Sequence, residues 1–235
     1  MGKAFKFHFT TSEVPEGRLV TADEAEAMLL RRLEDRGGAC PDTLWDLARL
    51  YSITGRQQIA LRYTQKLISR SDKLETIAEG YVAQGQLLEQ ISSWQAAITC
   101  YERALALRPT EPHYWYLAHN NLGYCLNQLG RYAEAEGYCR AAIEINPERA
   151  NAFKNLGLSL QGQGKLAAAA HSFVDAVKAN ASDPRAAKHL QDLVERHRAA
   201  VKAEIPDIDE LVRESHRAVE LASRVQEGIQ QSKKP

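Results

Sequence analysis

The potentially reactive residues of this chain are not spaced as a catalytic site requires. The sequence contains no glycine-rich phosphate loop, no HExxH pair and no nucleophile elbow around a serine. His189 and His197 are separated by about two helical turns, which is too far apart for one metal ion. We therefore expect no enzymatic activity, no cofactor and no metal. The chemistry that the sequence supports is binding.

Asparagine is the first residue type that suggests how binding is organised, because Asn121 recurs as Asn155. A carboxamide held in one place both donates and accepts a hydrogen bond, as a partner of a peptide backbone must. The same offset of 34 residues relates several other pairs. Leu122-Gly123 returns as Leu156-Gly157, Gly130 as Gly164, Ala135 as Ala169, Cys139 as Phe173 and Ala142 as Ala176. A fixed period of about 34 residues is typical of a helical solenoid.

Each repeated residue has a physical role. Small residues such as Gly123 and Ala135 allow two antiparallel helices to approach closely. Gly130 and Gly164 stand where the first helix of a pair should end, in the left-handed backbone conformation. Pro147 then ends the block, because proline does not continue a helix interior.

These residues resemble the tetratricopeptide repeat family. Residues 116–147 match its pattern at the Leu-Gly pair, the turn glycine, the aromatic residue after it, both alanines and the final proline. The block over 41–74 is degenerate, since Leu47-Ala48 stands for the Leu-Gly pair. In the block over 78–111, Gln84 replaces the leucine and Ser92 replaces the turn glycine. The resemblance implies an all-α fold, a right-handed superhelical solenoid of antiparallel helix pairs with capping helices. It also implies a role in protein binding.

In that family the first helix of each pair lines a concave groove that accepts an extended segment of another protein. The resemblance therefore implies an inner face that carries polar, charged and a few apolar side chains. These residues are Asn120, Asn121, Tyr124, Asn127, Asn151, Lys154, Asn155, Leu158, Arg185, Lys188 and His189. The cations among them would lie at one end of the groove, which suits an acidic peptide.

Part of this set resembles the carboxylate clamp of chaperone-binding family members, which holds the C-terminal carboxylate of a peptide. Lys154, Asn155 and Arg185 match that clamp, but Leu158 stands at the place of a second asparagine and His189 at the place of a further cation. Three interpretations stay open here: a true clamp, a looser site for an acidic or extended peptide, and a solvated face without a ligand.

Composition excludes some other partners. The chain has 30 basic and 30 acidic residues, and this zero net charge removes the usual attraction to nucleic acid or anionic membranes. No apolar run approaches the ~20 residues of a membrane span, and the N-terminus lacks the apolar part of a signal peptide. The four cysteines show no CxxC spacing and are interpreted as buried, reduced thiols. We expect a cytoplasmic protein whose partner is another protein or a peptide.

The sequence also predicts the order of its segments. An extended arm over 1–20 and a helix over 21–40 precede the repeats, which are followed by a capping helix over 184–205 and an amphipathic helix with a frayed tail over 206–235. The four repeats span 41–74, 78–111, 116–149 and 150–183, all within the repeat region over 41–183. Extra residues between the second and third repeats should make the helix with Tyr114 start one turn early.

Both ends of the chain leave alternatives open. Phe5, Phe7 and Phe9 alternate like a strand, but no partner strand is evident, so we expect an arm that packs on the first helices or waits for a partner. The helix over 206–230 carries apolar residues at spacings of three and four. It could fold back on the solenoid or mediate self-association. The favoured function is an adaptor or scaffold, and the alternative is a homo-oligomer formed through this helix or the arm.

Overall fold

The computed structural model of the chain describes residues 4–5, 20–38 and 40–232. Its described part is helical apart from two short strands. The chain divides into two compact units, residues 1–114 and 115–235. Within each unit, helices joined by short connections pack against their sequence neighbours, which is the arrangement expected of antiparallel helix pairs.

The first unit begins with a short hairpin-like pairing followed by five helices. Its elements are β1 (Ala4–Phe5), β2 (Val20–Thr21), α1 (Ala22–Asp35), α2 (Pro41–Ile53), α3 (Gln57–Arg70), α4 (Leu74–Gln90) and α5 (Trp94–Ala106). Thr21 caps α1 as its sequence predicts, since Thr21 Oγ1 accepts a bond from the Glu24 backbone at 3.2 Å and Glu24 Oε2 accepts one from Thr21 N at 2.8 Å.

The expectation that the N-terminal arm has no partner strand is wrong. Phe5 pairs with Val20 and Ala4 with Thr21 in an antiparallel ladder. Two residues directly before a helix are too few to show an alternating pattern, so the sequence did not reveal β2. The packing predicted for Phe7 and Phe9 lies outside the described residues.

The second unit contains the best-matched repeats and the C-terminal helices. Its elements are most of α6 (Pro112–Gln128), then α7 (Tyr132–Ile145), α8 (Ala150–Gly162), α9 (Leu166–Ala179), α10 (Arg185–Glu204) and α11 (Ile208–Ser232). The prediction that α6 starts a turn early is confirmed by its first residue, Pro112. Across the described ranges we find no helix with the length and hydrophobicity that a membrane span requires.

Close helix packing in the second unit depends on two glycines of α8. A Cβ placed on Gly157 would lie 2.4 Å from the Phe173 ring, and one on Gly162 would lie 2.4 Å from the Tyr132 ring. Phe173 is fully buried and belongs to the main core of this unit, together with Leu160, Leu190 and Leu193. Gly157 and Gly162 therefore each accommodate an aromatic ring of a neighbouring helix.

The turns between paired helices show why glycine recurs there. Gly130 has φ of 72°, and the backbone N–H groups of Gly130 and Arg131 donate to Asn127 and Leu126 at 3.1 and 2.9 Å. Ser92 occupies the equivalent place after α4 with φ of 57°. The left-handed conformation is imposed by the turn and is costly for a residue with a Cβ.

We expect Ser92→Gly to stabilise the protein by about 1 kcal/mol, because glycine adopts this conformation without strain. Urea unfolding followed by circular dichroism at 222 nm would measure the shift in midpoint. Gly130→Ser makes the reverse change at the matched turn and should destabilise by a similar amount. A destabilised Ser92→Gly variant would contradict the argument.

Glu136 of α7 connects its helix to the turn between α8 and α9. Its carboxylate accepts bonds from Lys165 Nζ at 2.8 Å, Arg140 Nη2 at 2.8 Å and Gln163 Nε2 at 2.9 Å. The hydrogen bond from Lys165, and then those from Arg140 and Gln163, outweigh the opposing effect of burial and lower the pKa of Glu136 to about 2. The charged form is therefore favoured by folding.

Because folding lowers the pKa of Glu136, the protein should become less stable as the pH falls. The stability from ionised Glu136 is fully present above the ordinary glutamate pKa of 4.5 and is lost as the pH falls toward 2. The two cations that pair with Glu136, Lys165 and Arg140, are about half exposed, so water screens their charges. We therefore expect Glu136→Gln to lower the free energy of unfolding by about 2 kcal/mol at pH 7, which is less than the full pKa shift would give. The difference between the urea midpoints of wild type and variant should be smaller at pH 3 than at pH 7, because part of the contribution is lost between pH 4.5 and pH 2. Glu144→Gln, an exposed change on α7, is the matched control.

The last two helices pack together, and α11 also contacts α9. Ile208 and Ser215 are buried, and the Asp209 carboxylate accepts bonds from Arg198 at 2.9 Å and Lys202 at 3.0 Å. The first half of α11 therefore folds back on its neighbours. Farther along, Leu221, Val225 and Ile229 form one stripe with exposures of 63, 55 and 50 %.

Candidate functional site

The candidate site is the face that α8 and α10 present between them in the second unit. Residues at spacings of three and four along each helix share one side. They bound a cavity of about 520 Å³, which the C-terminal end of α6 and the start of α7 complete. Its lining residues are Asn127, Gln128, Tyr132, Leu158, Gln161, Gly162, His189, Asp192, Arg196 and His197. We call this face the α8–α10 groove.

A cationic cluster lies where α8 and α10 begin. Arg185 Nη2 donates to Asp183 Oδ2 at 2.6 Å, Arg185 Nε donates to Asp183 Oδ1 at 2.8 Å, and Arg185 Nη2 lies 3.5 Å from Asn151 Oδ1. The bonds from Arg185 lower the pKa of Asp183 to about 2 and raise the pKa of Arg185. Asp183 thus engages the guanidinium that the sequence predicted for ligand binding.

Lys154 differs from Arg185 because it is half-buried and, among the described residues, forms no ion pair within 4.0 Å. Burial lowers the pKa of Lys154, and the nearby charge of Arg185 lowers it further, while Asp183 opposes the shift. An ammonium held in this environment gains from any added carboxylate. Lys154 is therefore a half-buried cation whose charge no ion pair within 4.0 Å balances among the described residues.

His189 stacks on Phe173, with ring centroids 5.5 Å apart and planes 22° from parallel. Burial lowers its pKa, and Lys154 adds to the effect, whereas Asp192 opposes it. Near neutral pH the ring is therefore mainly uncharged and forms a flat wall of the cavity rather than a further cation.

Three predicted asparagines connect α6 to α8 inside the unit. Asn155 Nδ2 donates to Asn120 Oδ1 at 3.1 Å, and Asn127 Nδ2 donates to the Asn155 carbonyl at 2.9 Å. Ser159 Oγ lies 2.9 Å from both Asn127 Oδ1 and the Asn155 carbonyl. Asn120, Asn127 and Asn155 are only 7, 8 and 3 % exposed. These bonds hold the groove wall, where Asn127 lines the cavity and Asn120 and Asn155 do not.

The other predicted residues lie at the surface or partly below it. Asn121, Tyr124, Lys154, Leu158 and His189 are half-buried, while Asn151, Arg185 and Lys188 are exposed. The structure brings Leu158 and His189 together at the cavity and places Lys154 one turn before Leu158. It keeps Asn120 and Asn155 in the interior.

Sequence reasoning missed Asp183, Ser159, Asp192 and Arg196. Asp192 and Arg196 follow His189 at spacings of three and four on α10, so the periodicity of that helix could have identified them. The Asp183–Arg185 pair carries no comparable signal, since its residues precede and open a helix.

Comparison with known proteins places the chain among repeat proteins. A tetratricopeptide repeat family model matches residues 82–150 and 154–216, more than half of the chain. Human tetratricopeptide repeat protein 7B (Homo sapiens) is 38 % identical over 100 residues, covering 43 % of this chain and 11 % of that protein. Heat shock protein STI1 of Saccharomyces cerevisiae is 28 % identical over 131 residues, covering 56 % of this chain and 21 % of that protein. The chain thus spans about a tenth and a fifth of these two relatives.

Solved structures show the same fold. MamA from Desulfovibrio magneticus RS-1 superposes with a TM-score of 0.61 at 22 % identity, covering 79 % of this chain and 96 % of that one. YrrB, described as a TPR protein with an unusual peptide-binding site, gives 0.58 at 20 % identity, covering 83 % and 97 %. The predicted all-α solenoid of helix pairs is confirmed. The chain belongs to the tetratricopeptide repeat family, whose members bind other proteins or peptides.

Proposed function

We propose that this protein is a non-catalytic adaptor or scaffold that binds an extended peptide segment of a partner in the α8–α10 groove. The observation that carries the proposal is Lys154, a half-buried ammonium that lacks an acidic partner among the described residues. A carboxylate from a peptide would supply that partner and reverse part of the cost of burying the charge.

The arrangement favours a looser acidic site over a clamp for a C-terminal carboxylate. A clamp needs several cations and amides that converge on one anion. Here Asp183 already engages Arg185, Asn155 is interior, and His189 is held mainly uncharged. One acidic side chain of an extended segment fits the half-buried ammonium of Lys154, and Leu158, one turn later on α8, offers an apolar contact.

Affinity capture from a native lysate tests the proposal with a matched pair of variants. Lys154→Glu should reduce recovery of a specific partner at least tenfold, because it replaces attraction by repulsion in the groove. Lys178→Glu makes the same charge change at an exposed site on α9 and should leave recovery unchanged. Rising salt should weaken the wild-type interaction. An unchanged partner list with Lys154→Glu would reject the groove as the binding site.

A second candidate function is self-association, which the exposed stripe of Leu221, Val225 and Ile229 favours. These side chains repeat every four residues, so they form a continuous apolar strip on the part of α11 beyond its buried half. Paired strips of two copies would remove this surface from water.

Sedimentation equilibrium tests self-association directly. The wild-type chain should show a concentration-dependent mass above that of a monomer, and Leu221→Gln combined with Val225→Gln should return it to 26.2 kDa. A wild-type mass equal to the monomer at all concentrations would reject this candidate.

A further inference from the structure

The α8–α10 groove carries half-buried charges of both signs, Lys154 on α8 and Asp192 on α10. Asp192 of α10 is half-buried, lines the cavity, and forms no ion pair within 4.0 Å among the described residues. Leu158 and Gln161 of α8 line the same cavity. The groove therefore has a cation at Lys154, an apolar contact at Leu158 and an anion at Asp192.

His189 lies near both of these charges. It lines the cavity together with Leu158 and Asp192. Burial lowers the pKa of His189, Lys154 lowers it further and Asp192 raises it, so both charges lie near its ring. A peptide side chain that contacts Leu158 and His189 therefore has a cation and an anion of the protein beside it.

We infer that the groove selects peptides that carry an acidic residue and a lysine or arginine close to an apolar side chain. The acid pairs with Lys154, the apolar side chain contacts Leu158 and His189, and the base pairs with the Asp192 carboxylate. This inference rests on the proposed function of the groove and adds a second, oppositely charged subsite.

Arg196 is the group that opposes a cation at Asp192, since it lies one turn later and lines the same cavity. Its side chain is exposed, so water and salt screen its charge more than they screen half-buried Asp192. The wild-type groove should already prefer peptides with a basic residue, and Arg196→Gln should strengthen that preference.

Selection from a library of random 12-residue peptides displayed on phage tests the inference on the full chain. Enriched peptides should contain the acid, the apolar residue and the base close together, with the acid and the base in either order. Synthetic copies are then measured by fluorescence polarisation. Asp192→Lys should weaken the acid–base peptide at least tenfold and strengthen a matched peptide whose base is replaced by glutamate. Asp175→Lys, the same change on α9, should do neither.

Failure of the inference is distinguishable from failure of the proposed function. Leu158→Glu blocks the groove and reports whether any selected peptide binds there. Groove-dependent peptides that lack the base, or that ignore Asp192→Lys, overturn the inference and leave peptide binding intact. Peptides indifferent to Leu158→Glu overturn both. A library that yields no peptide overturns the inference, and the lysate capture with Lys154→Glu then decides the function independently.

Discussion

Phe173→Ala should lower the free energy of unfolding by about 4 kcal/mol, because it removes a large buried ring and leaves a cavity that the helices fill only in part. Phe173 is fully buried in the core of the second unit, against Gly157 on one side and the His189 ring on the other. Urea unfolding monitored at 222 nm would measure the loss. His171→Ala, at an exposed site on α9, controls for substitution in that helix and should change stability little.

A second substitution at the same contact is Gly157→Ala, which adds a Cβ 2.4 Å from the Phe173 ring. Alanine gains about 1 kcal/mol of helix propensity, but overpacking against a fixed ring costs more, so we expect a net loss of about 2 kcal/mol. A smaller side chain at 173 should relieve that clash. The double variant Gly157→Ala with Phe173→Leu should therefore lose less than the sum of its single changes. Strict additivity would show that the ring and the glycine do not contact each other.

The repeat periodicity predicted much of this fold because residues recur where a turn or a close helix contact requires a particular residue type. The offset from Gly130 to Gly164 marked two real helix ends, and the absence of glycine at Ser92 marked a turn that still requires the left-handed conformation. The extra residues before Tyr116 predicted the early start of α6. The pairing of Ala4–Phe5 with Val20–Thr21 could not be foreseen, because two-residue strands have no period.

Helical spacing predicts which residues share a face but not how deeply they lie. Leu158 and His189 line the cavity, and Lys154 lies one turn before Leu158 on α8. Spacing does not distinguish an amide that reaches the surface from one that bonds across to the next helix, as Asn127 and Asn155 do. The depth depends on how closely α6 and α8 approach, which only tertiary packing determines.

The second large expected effect on stability is at Asn127, one of the amides that join α6 to α8. Asn127→Asp keeps the shape of the side chain but replaces the Nδ2 donor to the Asn155 carbonyl, at 2.9 Å, with an oxygen. At pH 7 an 8 % exposed carboxylate would then face a backbone carbonyl. Loss of the donor and burial of an unpaired charge together should cost about 3 kcal/mol. Urea midpoints of wild type and variant at pH 7 would measure the cost.

The same variant should recover part of its stability in acid. Its folded-state pKa would lie above the unfolded value, because burial disfavours the ion, so the penalty shrinks as the pH falls and the protonated acid again donates to the Asn155 carbonyl. The gap to wild type should narrow to about 1 kcal/mol at pH 4. Asn151→Asp is the matched control, since this exposed residue lies near Arg185 and should tolerate a charge at either pH. A gap that stays constant with pH would mean that Asn127 contributes only its shape, and that the groove wall is held by apolar packing rather than by the amide network.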